Sequence, residues 1–107
     1  MFVNVRMDET PAEMTLEEPA DCTRFHVAVD GGARDAAHLD EVLRAAGAGR
    51  GDGDDARIAV DAVRRMAVGR VGRDWARDFD GMLAYARGKG WLDDTDGTIA
   101  AHVEWSS

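Results

Sequence analysis

Between Arg73 and Trp105 the spacing of apolar residues changes from the period of a helix to that of a strand. Trp75, Phe79, Met82, Leu83 and Ala86 fall at steps of four, three, one and three. That places them on one stripe of a helix with about 3.6 residues per turn. After Gly88 and Gly90 the repeat becomes two: Ile99, Ala101, Val103 and Trp105 face one way, Thr98, Ala100, His102 and Glu104 the other. All three tryptophans lie in this stretch. A chain with this pattern has to lay an amphipathic helix against a half-buried strand, which makes the expected fold class α+β.

The remaining composition bounds what is built around that unit. At 107 residues the chain is expected to form one domain, burying roughly two thirds of its unfolded surface. Cys22 is the only cysteine, so neither an intramolecular disulfide nor a cysteine metal knuckle is available. MFVNVRMDE lacks a basic segment followed by a long apolar run, so no signal peptide is expected. Nothing approaches the ~18 apolar residues of a membrane span, and a cytoplasmic protein is the default expectation. The net charge of −8 is uneven. Residues 1–55 hold five basic against thirteen acidic side chains, residues 56–107 eight against eight. Acid at the front disfavours non-specific attraction to nucleic-acid phosphates or anionic membranes.

Residues 1–30 read as N-terminal strands with an acidic loop. Val3, Val5 and Met7 alternate with Asn4 and Arg6, as Phe25, Val27 and Val29 do with Arg24, His26 and Ala28. The intervening segment 8–21 contains Pro11, Pro19, Glu13, Glu17 and Glu18, and is expected to be an irregular solvated connection. Asp35 is the expected N-cap of a helix over 34–46 that buries Leu39, Val42, Leu43 and Ala46 and stops at Gly47. GAGRGDGDD, residues 47–55, is expected to be a flexible linker. Residues 57–60 open either a strand or a helix. The strand is preferred because Ile58 and Val60 are β-branched, with Asp61 as N-cap of a brief helix over 62–67.

The order becomes helix (34–46), strand (57–60), short helix (62–67), glycine-containing turn, long helix (74–87), strand at Trp91-Leu92, hairpin tip and strand (98–105). In IAVDAVRRMAVGRVGRDWARDFDGMLAYARGKGWLDDTDG this resembles a winged helix-turn-helix domain, over residues 34–105. The resemblance implies three helices with a small antiparallel sheet, a recognition helix at Arg73 to Arg87 and a wing at Asp93 to Thr98. It also implies a DNA-binding alternative with Arg64, Arg65, Arg70, Arg73 and Arg77 as contacts. The carboxylates argue against that. Asp74, Asp78 and Asp80 flank the recognition helix, and Asp93, Asp94 and Asp96 sit in the wing, where phosphates would be met. The arginines are expected instead to pair with Asp61, Asp74 and Asp78.

Other motifs carry less. The glycine-rich run follows a helix rather than a strand and is crowded by Asp52, Asp54 and Asp55, so it is not a phosphate loop. The same aspartates, and Asp94 and Asp96, lack the glutamate that completes a calcium loop. His26, His38 and His102 form no metal-ligand spacing. His26 and His102 point outward on their strands. If those strands were neighbours, they would meet beside Glu104 or Arg24, leaving a small enzyme or ligand-binding protein as a further alternative. No cofactor is expected. Trp91 and Trp105 either cap the core edge or form a partner patch. The preferred expectation is a non-catalytic interaction module that meets another protein, or forms a homo-oligomer, through Trp91, His102, Glu104 and Trp105.

Overall fold

A computed structural model of the chain describes residues 1–9, 11–31 and 34–106. Their order is β1 (Phe2–Arg6), β2 (Glu13–Glu17), β3 (His26–Asp30), α1 (Ala36–Ala45), β4 (Gly49–Asp52), β5 (Asp55–Ala59), α2 (Val60–Ala67), α3 (Trp75–Gly88), β6 (Leu92–Asp93) and β7 (Thr98–Trp105). The seven strands form one mixed sheet in the order β2-β1-β3-β7-β5-β4, with β6 paired to β7 off that path. β1 runs parallel to β3 and β3 parallel to β7, while the other pairings are antiparallel.

Alternation decides which face of the sheet is covered. Val3, Val5, Leu16, Val27, Val29, Ala56, Ile58, Ile99, Ala101 and Val103 are buried on one face. They share a core with Leu39 and Leu43 of α1, Val63 and Ala67 of α2, and Phe79, Met82, Leu83 and Ala86 of α3. The stripe read from the sequence of α3 is therefore the side that meets the sheet. The other face carries Phe2, Asn4, His26, Ala28, Asp55, Arg57, Ala100, His102 and Glu104, and among the described residues no helix lies over it.

α1 begins and ends as its residues dictate. The Asp35 carboxylate accepts the His38 N–H at 3.0 Å, an N-cap hydrogen bond. At the other end Gly47 takes φ +66°, its N–H reaches Arg44 O at 3.1 Å, and the Ala48 N–H reaches Leu43 O at 2.9 Å. These two bonds make a Schellman motif.

Four expectations are corrected. The sheet is large and mixed rather than small and antiparallel, although three helices and an α+β class are present. The winged-helix resemblance fails with it. Over 34–105 the elements do not follow the winged-helix order: β4 stands between α1 and β5, and β7 lies between β3 and β5 in the middle of a mixed sheet. The segment 8–21 contains β2, whose Met14 and Leu16 turn inward while Glu13, Thr15 and Glu17 turn outward. The supposed linker contains β4, paired with β5 from Gly49↔Ile58 to Asp52↔Asp55.

The start of α2 also differs. Its N-cap is Ala59, which makes no side-chain capping bond, and Asp61 lies in the first turn, where a carboxylate still favours the helix dipole. The Val60 N–H is satisfied by Gly97 O at 2.9 Å. The hairpin tip of residues 93–98 thus packs onto the start of α2. It is further held by Arg50 on Asp96 at 2.9 Å and by a two-pronged Arg87–Asp94 pair at 3.0 Å.

Candidate functional site

The uncovered face is crossed by one rung of side chains. Glu17, Phe2, His26, His102, Asp55 and Asp52 are successive Cα partners across six strands. His26 and His102, far apart in sequence, are therefore neighbours on β3 and β7. The His26 ring stacks on Phe2 with centroids 4.8 Å apart, and its Nε2 lies 3.5 Å from Glu104 Oε2. His102 Nδ1 lies 3.7 Å from Asp55 Oδ1. Both distances exceed that of a good hydrogen bond, so the arrangement is two separate imidazole–carboxylate pairs rather than a proton relay. Among the described residues no group of three or more His, Cys, Asp or Glu is placed to hold a metal ion.

Among the described residues three large apolar side chains are exposed: Val68 at 79%, Tyr85 at 61% and Trp91 at 46%. Val68 stands alone at the end of α2. Tyr85 and Trp91 touch, their rings T-shaped with centroids 6.0 Å apart, and Lys89 Nζ lies 5.6 Å from the Tyr85 ring. Local structure explains the pair. Tyr85 is one step off the buried stripe of α3, and Gly90, at φ +79°, turns the chain so that Trp91 folds back. The Trp91 N–H is bonded to Ala86 O at 2.9 Å.

This ridge stands between two depressions. On one side is a groove of about 550 Å³ lined by Ala20, Cys22, Thr23, Arg77, Asp78, Gly81, Met82 and Tyr85. Its far wall is the loop joining β2 to β3, which passes around the start of β1. That loop is pinned by the Trp75 indole N–H on Pro19 O at 2.6 Å and by Thr23, whose N–H and hydroxyl both donate to Asp21. These two bonds hold the Asp21 carboxyl below its ordinary range. Burial pushes the Cys22 thiol up, which makes it a poor nucleophile. On the other side of the ridge, on the uncovered face, is a notch of about 310 Å³ lined by Phe25, Asp55, Trp91, Ala100, Ala101 and His102.

The residues singled out from sequence are only partly brought together. Trp91 and His102 line the same notch, and Glu104 is two residues along β7 on the same face. Trp105 points to the opposite face, packed against the core and beneath the Arg34 guanidinium at 5.8 Å.

The five arginines of the DNA-binding alternative are directed to different places. Arg64 pairs with Asp80 at 3.1 Å and lies 4.9 Å over the Phe79 ring. Arg65 reaches Gly47 O at 3.4 Å. Arg70 donates to Leu16 O, with Glu17 at 4.0 Å. Arg77 lies 3.8 Å from Asp78, and Arg73 is exposed in the turn before α3. Of the expected acidic partners, Asp78 alone receives one of these arginines.

Sequence reasoning missed Tyr85, Phe25 and the groove of Cys22 and Met82. Tyr85 carried a signal, being a large ring off the buried stripe. The others depend on where loops return, which no local pattern encodes. Comparison with protein-family models, with characterised proteins and with solved structures finds no match to this chain.

Proposed function

We propose that this chain is a non-catalytic protein-binding module whose contact surface is the Tyr85–Trp91 ridge with the groove and notch on either side. One observation carries the reading: two exposed aromatic side chains pack on each other instead of into the core. Tyr and Trp are enriched among residues that dominate binding energy, and such residues cluster beside pockets that exclude water. The edges of the sheet support the same reading. Asp40 of α1 accepts the Gly51 N–H of edge strand β4 at 2.8 Å, and Arg70 occupies the Leu16 carbonyl of edge strand β2. Both contacts oppose the addition of a foreign strand, leaving the ridge as the better-equipped surface.

Charge argues for the kind of partner. Two copies at −8 each repel one another, so a second protein with a basic contact segment fits better than self-association. The test is quantitative capture of partners from cells that express the protein, using wild type and three variants, with sedimentation of the purified chain alongside. Capture should fall at least about ten-fold with Tyr85→Ala or Trp91→Ala, the effect of losing one hot-spot residue, and stay unchanged with Val68→Ala. The purified chain should sediment as a monomer. Equal capture by all variants, or a stable dimer dissociated by Trp91→Ala, overturns the reading.

A further inference from the structure

The edge of β7 that faces β3 is not filled along its whole length. β6 occupies it at Thr98 and Ile99, and the Ala100 N–H still reaches Trp91 O at 2.8 Å. β3 takes the edge up again at His102, paired with His26. Between the two, Trp91 precedes β6 on one side and Phe25 precedes β3 on the other. The notch of about 310 Å³ opens at this break. Its depth follows from the residues at the break, because Ala100 puts nothing larger than a methyl group on this face and the Ala101 methyl turns into the core.

The lining selects a ligand class. Three of the six lining residues carry aromatic rings: the Trp91 indole, the Phe25 phenyl and the His102 imidazole. The faces of phenyl and indole rings are negative and attract a cation, Trp most strongly. Asp55 adds a carboxylate from β5, held beside His102 at 3.7 Å. An anion entering the notch meets that carboxylate, whereas a cation meets it with three aromatic residues around it. The nearby Arg57 does not line the notch. Its Nε donates to Thr98 Oγ1 at 3.1 Å and its Nη2 to Trp91 O at 3.5 Å, so its charge is used on the tip side of Trp91. Tyr85, T-shaped against the indole, fixes the plane of that wall.

We propose that the notch between Trp91 and Phe25 receives the cationic head of a basic side chain, an ammonium or guanidinium group, from the partner that the Tyr85–Trp91 ridge engages. The assignment rests on the protein-binding reading and gives it its specificity. The ridge supplies apolar area, and the notch requires a lysine or arginine at one position of the partner.

Four small probes test it by NMR on the isotopically labelled full chain: the acetylated methylamides of lysine, arginine, norleucine and glutamate. The lysine or arginine probe should give saturable shifts at the Trp91 indole N–H and the His102 ring, with a dissociation constant in the millimolar range. Trp91→Leu and Asp55→Asn should each weaken it about ten-fold, the scale of a cation–aromatic contact, and Val68→Ala should leave it unchanged. Norleucine or glutamate binding as tightly as the cations overturns the proposal. So does the absence of saturable shifts, or binding that survives both variants. The two readings separate in the capture experiment. Capture lost with Tyr85→Ala but intact with Asp55→Asn, and no cation binding, overturns the notch and leaves the ridge. Capture indifferent to Tyr85→Ala overturns both.

Discussion

Single residues in this chain do work that their type alone does not announce. Gly49 sits in β4 at φ +147°, and a Cβ placed there would lie 2.0 Å from Arg57 O. The strand can approach β5 only because that position has no side chain. Gly47, at φ +66°, has nothing within 4 Å of such a Cβ and carries only the backbone strain of the left-handed region. Gly49→Ala should therefore cost about 1–3 kcal/mol, as overpacking does, against about 1 kcal/mol for Gly47→Ala. Urea denaturation of the two variants checks the order, and equal losses would remove β4 from the account. The glycines of residues 47–53 were read from sequence as flexibility. Here one of them is what permits strand pairing, and the signal for that, Arg57 on the partner strand, lies eight residues away.

At the scale of elements, the helices and the inner strands are legible and the edge strands β2 and β4 are not. α1 announced itself through Asp35 and Gly47, α3 through its stripe, and β1, β3 and β7 through alternation. β2 alternates as well, but the flanking Pro11 and Pro19 and its acidic residues made it read as loop. It is an edge strand, where one face stays in water and acids are tolerated. The hairpin tip shows the same limit. Its aspartates read as a repellent wing, whereas each of three is engaged: Asp93 accepts Thr95 N–H at 2.8 Å, Asp94 holds Arg87, and Asp96 holds the Thr98 hydroxyl and Arg50.

These contacts have a pH signature. The Arg87 guanidinium holds the Asp94 carboxyl below its ordinary value of 3.8. The Thr98 hydroxyl, followed by Arg50, does the same for Asp96. A carboxyl lowered in the folded state contributes stability that is present above the unfolded value and lost as pH falls through the native one. The tip should thus stay docked above about pH 4 and loosen below it. Carbon-13 NMR titration of the aspartates should find both midpoints below 3.8, with Asp94 returning to it in Arg87→Ala. An unshifted Asp94 in the wild type would contradict the docked tip.

The arrangement of the whole molecule was the least legible part. Parallel pairing joins β1, β3 and β7, so His26 meets His102 across 76 positions of sequence, and no local period encodes such a partnership. A reading confined to neighbours along the chain suggests a winged helix, and both β4 and the mixed sheet overturn it. For the candidate site, Trp91, His102, Glu104 and Trp105 are grouped from sequence as one surface, whereas Trp91 and His102 line one notch and Trp105 packs against the core. Its alternation with Glu104 already put the two on opposite sides of β7.

The exposed aromatic pair of Tyr85 and Trp91 is proposed as the place where another protein is met. Photocrosslinking tests it most directly, with benzoylphenylalanine placed at position 85 in one version of the full chain and at position 68 in another. Both positions are exposed and apolar in the native protein, and only the first belongs to the ridge. A discrete crosslinked species is expected from position 85, lost with Trp91→Ala, and none from position 68. Equal crosslinking from both positions, or from position 68 alone, would contradict it.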